Sequence, residues 1–268
     1  MLIKELNLDK EFGLISIIMA AYNAEETIEK AIKSALCQSY QNIELIIVDD
    51  CSTDKTRMII SKCLDNDQRI HLVANDKKVG VSQSRSNALM QAKGEWIAIL
   101  DSDDEWMPQK LEKQIALQTK TNAIILFTGS SFMNEQGKKM DWVMRVPRSV
   151  NYRKLLYQNV ISNSSVLVLT DLYRRYYVSS DNLHEDYAMW LSILKTGIEA
   201  YGVDEPLLIY RVSQKSKSGN KIKSARMNWN TYRYIGLNLF QCIFYEIAYM
   251  VNGFIKYGHI SKYLTLKN

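Results

Sequence analysis

Between Leu14 and Leu100, short apolar runs alternate with segments of helical spacing. The runs are Leu14–Ala20, Ile43–Val48, Ile70–Ala74 and Trp96–Leu100, each rich in Ile, Leu or Val. Their continuity, without polar alternation, predicts strands buried on both faces. Between them, Ala24–Leu36 places Ile28, Ala31, Ile32 and Ala35 on one helical face, with Asn23 as its expected cap. Asp54–Leu64 and Val81–Ala92 read as the next two helices. Such alternation admits few architectures, chiefly a largely parallel sheet with helices on both sides. Ligands of such sheets bind outside the carboxyl ends of the strands. Three polar clusters fall there: Ala21-Tyr22-Asn23, Asp49-Asp50 and Asp101-Ser102-Asp103-Asp104.

After Trp106 the rhythm changes. Pro108–Thr119 predicts a helix with Pro near its first position. Ile124–Phe127 and Val166–Leu169 read as strands, with a loop near Gly137 and a helix near Tyr152–Gln158. Asp186–Leu194 predicts a further helix, Leu207–Val212 a last strand and Lys215–Lys223 a polar, basic loop. Met227–Tyr257 is expected to be mostly helical and is crowded with aromatic residues.

The charge is uneven. Residues 201–268 hold 10 Lys and Arg against 3 Asp and Glu, whereas the rest of the chain is slightly acidic. A basic, aromatic tail points to an anionic partner. Zinc-finger spacing is absent and the tail's helix is aromatic and aliphatic, so nucleic acid is not expected. The four cysteines lack CxxC spacing, which argues against structural zinc and fits free thiols in a reducing compartment. No apolar leader stands at the N-terminus, and Leu237–Ile255 is interrupted by Asn238, Gln241, Glu246 and Asn252. It is therefore not read as a membrane span, and a cytoplasmic location is expected.

Consecutive carboxylates at a strand end repel unless a cation or hydrogen-bond donors compensate. Asp101-Ser102-Asp103-Asp104 is thus either a metal–diphosphate site for Mn²⁺ or Mg²⁺ or a capped turn into the Pro108 helix. Asp50 can accept from the imide N–H of a uracil, or simply shape a turn with Ser52, Thr53 and Asp54. Arg85, at a helix start, can meet a base carbonyl or a phosphate, or can be a solvated surface arginine. Glu185 and Asp186 open another helix, where they either cap it or take a proton from an attacking hydroxyl. A phosphatase of the aspartyl-phosphate kind is disfavoured, because Glu105 stands where Thr or Val would be needed.

In combination, Ala20–Glu25 (AAYNAE), Val48–Thr56 (VDDCSTDKT), Ser84–Leu89 (SRSNAL), Ala92–Asp104 (AKGEWIAILDSDD) and His184–Leu191 (HEDYAMWL) strongly resemble family 2 glycosyltransferases of bacterial surface-polysaccharide synthesis. The resemblance covers roughly residues 13–212. It implies the α/β GT-A fold over 1–212, with a Rossmann-like nucleotide-binding half near 13–106 and an acceptor half near 107–212; beyond it, 213–268 is read from its own residues as a flexible basic loop and a C-terminal helical region. It implies inverting transfer of a sugar from a nucleotide diphosphate, usually UDP, to a hydroxyl of a glycan or lipid-linked glycan, with Mn²⁺ or Mg²⁺. By the same resemblance, Ala21, Tyr22, Asn23 and Glu25 form the first nucleotide loop. Asp50 holds uracil with Arg85 beside it, Asp101 and Ser102 lie near the ribose, and Asp103 is the metal ligand. Asp186 is the catalytic base with Glu185 next to it, and Arg211, Lys215 and Lys217 belong to a late segment over donor and acceptor. The chain departs from the family at Cys51, where Gly is usual. A non-catalytic nucleotide-sugar-binding module is the alternative, and the intact Glu185-Asp186 pair speaks against it. The tail is expected to pack across the domain, to join two subunits, or to lie on the inner face of the membrane.

Overall fold

The computed structural model describes residues 12–180, 182–212 and 221–264. Its first half follows the predicted alternation: β1 (Ile15–Ala21), α1 (Ile28–Leu36), β2 (Ile43–Asp49), α2 (Thr56–Leu64), β3 (Ile70–Ala74), α3 (Val81–Gln91) and β4 (Trp96–Ile99). These four strands pair in parallel in the order β3-β2-β1-β4. Every residue of β2 and β4 is buried, which explains their unbroken apolar runs. Gly94 sets the approach of β4 to β1. A Cβ there would lie 2.6 Å from the Leu14 carbonyl oxygen and the Ser16 nitrogen, so only glycine fits.

The second half comprises β5 (Glu105–Trp106), α4 (Lys110–Thr121), β6 (Ile125–Met133), β7 (Lys139–Met144), β8 (Ser149–Val150), α5 (Tyr152–Tyr157), β9 (Leu167–Leu169), α6 (Thr170–Tyr176), α7 (Glu185–Leu194), β10 (Ala200–Arg211), α8 (Lys221–Tyr234) and α9 (Leu239–Leu264). The sheet continues as β4-β9-β6-β10-β5, with β7 on β6 and β8 on β10. β9 runs antiparallel to both β4 and β6, so the sheet is mixed. Helices cover it on two sides. One core cluster joins α1 and Leu111 of α4 to the sheet, and the other joins α3, α5 and α7.

Three expectations need correction. Helix α1 starts at Ile28 rather than Ala24, with Thr27 in place of Asn23 as the cap residue, because residues 23–25 bond to the loop after β2 instead. β10 begins at Ala200, well before Leu207. Asp204-Glu205-Pro206 hides it in the sequence, and the strand bulges there against β6. Strand β7 went unread because its alternating burial surrounds a polar sequence, KMDWVM.

Candidate active site

The loops after β1 and β2 are zipped together. The Asn23 N–H donates to Ser52 Oγ (3.0 Å), that of Ala24 to Thr56 Oγ1 (2.7 Å) and that of Glu25 to Asp54 Oδ2 (3.1 Å). In return, Asn23 Oδ1 accepts from the Thr53 N–H and Glu25 Oε2 from the Lys55 N–H. Asn23 takes a left-handed backbone (φ 47°), which asparagine tolerates. Asn23 and Glu25 thus shape the loop, and Ala21 is buried in the core. The Tyr22 ring is 42% exposed, with Lys78 Nζ 3.5 Å from its centroid. Lys78 was not singled out in the sequence.

Asp50 is buried at the end of β2. Its Oδ1 accepts from the Val79 N–H (2.8 Å) and Asn75 Nδ2 (2.9 Å), and its Oδ2 from the Gly80 N–H (2.8 Å). Burial opposes the charge, but these bonds outweigh it and hold the carboxyl below its usual range. Asp50 therefore fixes the entry to α3, and Oδ2 retains room for another donor. Asn75 was also missed. It follows β3, and the strand-end rule applied to that strand would have found it. Cys51, next along, has φ 62°, the left-handed region where glycine is at ease.

Arg85 is not a surface residue, nor is its guanidinium engaged at Asp50. It is 7% exposed, and Nη1 donates to Glu185 Oε1 at 3.0 Å while Nη2 donates to Asp101 Oδ1. Burial works against its charge and the two carboxylates more than compensate. One guanidinium therefore ties the end of β4 to the start of α7.

The acids after β4 are less well compensated. Asp104 is buried; its Oδ1 accepts from the Arg211 N–H at 2.9 Å, while Oδ2 has no hydrogen-bond partner among the described residues. Burial, then Asp103 and Asp101, push its carboxyl well above the ordinary range. Asp103 is half-buried and forms no ion pair among the described residues. Burial and Asp101 raise its carboxyl to about 6, against the pull of Arg211 and Arg85. Ser102 lies in the turn between them. Ser164, unread in the sequence, receives the Asp101 N–H and lies beneath this turn.

An acid cluster short of positive charge suits a hard divalent cation. Among the described residues no three His, Cys, Asp or Glu side chains gather to hold one. The fit is to an ion that takes Asp103 and fills its shell with water and phosphate oxygens, as Mg²⁺ does.

At the start of α7 the two acids part ways. Glu185 is buried against Arg85. Asp186 lines a small cavity together with Glu185 itself, Arg85, Asn163, Tyr173, Tyr177, Val178 and Met189. Burial, then Glu185, raise its carboxyl above the ordinary range, against the pull of His184 and Arg85. His184 turns to α8, its Nε2 3.2 Å from both oxygens of Ser224. Trp190 is fully buried and structural. Arg211 is no part of an open loop. It is 7% exposed and donates to the Asp103, Asn134 and Glu135 carbonyls, bracing the acid turn. Lys215 and Lys217 lie outside the described residues.

The model of the family described as glycosyl transferase family 2 matches residues 16–175. The chain belongs to that family. One curated relative is UDP-Glc:alpha-D-GlcNAc-diphosphoundecaprenol beta-1,3-glucosyltransferase WfaP of Escherichia coli, 38% identical over 259 residues, 95% of this chain and 99% of WfaP. Among solved structures, TarS of S. aureus in complex with UDP-GlcNAc superposes with a TM-score of 0.69 at 19% identity, over 94% of this chain and 76% of that one. The mannosyltransferase PcManGT from Pyrobaculum calidifontis, in complex with GDP-Man and Mn²⁺, gives 0.67 at 16% identity, over 89% of this chain and 69% of its own. The protein is a glycosyltransferase of GT-A fold. The family match spans Asp50, Arg85 and Asp101–Asp104 but ends before Glu185; the link from there to α7 is the Arg85 fork.

Proposed function

We propose that the protein transfers a sugar, with inversion, from a UDP-sugar to a hydroxyl of a lipid-linked glycan in bacterial surface-polysaccharide synthesis. The observation that carries this is the Arg85 fork, which sets the uncompensated acid turn and the acid pair of α7 around one guanidinium. WfaP supports a UDP-sugar donor and a diphosphate-lipid acceptor at 38% identity. In this reading residues 13–106 bind the donor and 107–212 shape the acceptor side.

Asp50 offers its remaining lone pair on Oδ2 to the uracil imide, and Tyr22 offers a ring face beside Lys78 for base or sugar. Asp103 would hold Mn²⁺ or Mg²⁺, which when bound would supply positive charge for the leaving diphosphate. Glu185 is committed to Arg85, which leaves Asp186 to take the acceptor proton. As that proton leaves, the acceptor oxygen bonds to the anomeric carbon, and the carbon–oxygen bond to the diphosphate breaks on the opposite face. A carboxyl raised by burial is a stronger base than an exposed aspartate, which suits this role. In this reading the enzyme works at the inner face of the cell membrane, where such an acceptor is presented.

The test is transfer from UDP-glucose and UDP-N-acetylglucosamine to a synthetic lipid-diphosphate sugar, with Mn²⁺ and after EDTA. Metal-dependent product with an inverted anomeric centre supports the reading. Undiminished transfer after complete metal stripping contradicts it.

A further inference from the structure

The aromatic C-terminal region divides between two opposite faces of α9. On one, Cys242 is fully buried, and Tyr245 and Tyr249 pack on the core, with rings 6.3 Å from Tyr232 and 5.9 Å from Tyr187 respectively. On the other, Leu239, Phe240, Ile243, Phe244, Ile247, Met250 and Val251 are all between 44% and 83% exposed. At ~100° per residue these seven fall within an arc of about 140°. Between Leu239 and Gly253 no charged residue falls within that arc. A run of large apolar groups left outward along three turns is an interaction surface, not a scatter of surface residues.

We infer that this stripe of α9 docks on an anionic lipid surface, with the helix lying in the plane of the headgroups. Two observations select that occupant. First, α5, α8 and α9, which pack together, carry eight Lys and Arg in their sequence against one acid, Glu246. Glu246 does not face outward freely: it accepts from Asn228 Nδ2 at 2.8 Å, and burial raises its carboxyl. Arg153 and Lys154 of α5 are exposed beside the stripe's Tyr157–Phe244 contact. A second copy placed on this face would set like charge against like, whereas anionic headgroups complement it. Second, no helix among the described residues is long and apolar enough to cross a membrane. An apolar face combined with a basic surround is the pattern of a helix that lies on the bilayer.

The contact has a use. α9 packs on α5 and α8, both of which pack on α7, and α7 carries Glu185 and Asp186 in its first turn. A bilayer beneath α9 would therefore bear on the helix layer that holds the proposed base. That purpose rests on the lipid-linked acceptor proposed above; the docking itself does not.

The experiment is co-sedimentation of the full chain with vesicles, without donor or acceptor. Vesicles of phosphatidylglycerol and phosphatidylcholine in equal parts are compared with phosphatidylcholine alone. The inference expects binding to the anionic vesicles that weakens with salt. The Phe240→Ser, Ile247→Ser double variant should lose at least ~10-fold in affinity, since each side chain forfeits much of its burial. Both positions are exposed, so the variant's unfolding midpoint and its transfer to a water-soluble acceptor should be unchanged. Arg153→Glu with Lys154→Glu should weaken anionic binding and leave the weak phosphatidylcholine background as it was. Equal sedimentation of wild type and the Phe240/Ile247 variant overturns the inference. So does a wild-type dimer by light scattering that becomes monomeric in that variant and never binds vesicles, because the stripe's occupant is then a second copy. Vesicle binding without any transfer would instead sink the proposed function and leave the docking intact.

Discussion

Two acid clusters stand at the ends of β2 and β4, on either side of β1, and the fold treats them in opposite ways. After β2, Asp49 Oδ2 receives Arg57 Nε and Nη2 at 2.9 and 2.7 Å, and Asp50 receives three donors. Both acids are compensated, and the bonds to Asp50 hold its carboxyl below the usual range. After β4, Asp101, Asp103 and Asp104 share Arg85 and Arg211, and both guanidiniums have other partners. There the carboxyls of Asp103 and Asp104 are raised. The same residue type at the same topological position is architecture in one place and unmet charge in the other. The unmet charge is what a cation and a departing diphosphate can use.

The largest structural effect is expected where the two clusters' logic meets α7. Arg85→Met should lower stability by ~3–5 kcal/mol, because it strands Glu185 and Asp101 without their partner. Urea unfolding checks this; a loss under ~1 kcal/mol would mean the fork is not holding β4 to α7. Next, Asp50→Ala should cost ~2–4 kcal/mol, since the Val79 and Gly80 N–H groups lose their acceptor. It should also weaken UDP and narrow its preference over GDP by calorimetry. Unchanged nucleotide preference with lowered stability would confine Asp50 to shaping the turn.

A gentler probe is pH. Only the ionised Asp103 carboxylate binds a cation well, and its carboxyl is raised to about 6. The metal dissociation constant should therefore rise roughly tenfold per pH unit below that value and level off above it. A flat profile between pH 5 and 7, on the order of these values, would place the ion elsewhere. The smallest effect is expected at Cys51. Cys51→Gly relieves a left-handed backbone worth ~1 kcal/mol but gives up the Sγ contact to the Asn75 carbonyl at 3.1 Å, so thermal unfolding should shift up by a few degrees at most. A clear drop would show that the thiol contact outweighs the strain.

Much of this was legible in the sequence. β1, β2 and β4 are buried on both faces, so their residues had to be largely apolar, whereas β3 at the sheet edge is fully buried only at Ile70; α1 carried a clear apolar stripe. The acid turn and the Glu185-Asp186 pair were visible because polar residues at such strand and helix ends are few. What escaped notice depends on pairing at a distance. Arg85 reads as a surface residue until Asp101, 16 residues on, and Glu185, 100 residues on, are folded against it. β7 and the first half of β10 give no strand reading in the sequence, because their partners and not their own propensities hold them in the sheet. In α9 the sequence could not say whether its aromatics pack or face outward; the two faces do both.

The measurement that bears most directly on the account is turnover of Asp186→Asn beside Glu185→Gln, with UDP-sugar affinity determined on the same proteins. Asparagine keeps the size of the side chain but cannot accept the acceptor's proton. The account predicts kcat lower by ~10²–10⁴ in Asp186→Asn, with donor affinity near wild type. In the wild type, the acid limb of kcat should lie above the ordinary aspartate value of 3.8, because burial and Glu185 raise this carboxyl and the base works only when ionised. That limb should vanish in Asp186→Asn. Glu185→Gln should lose stability, through Arg85, as much as rate. Near-full turnover in Asp186→Asn, with the acid limb still present, would contradict the account and move the base to another group.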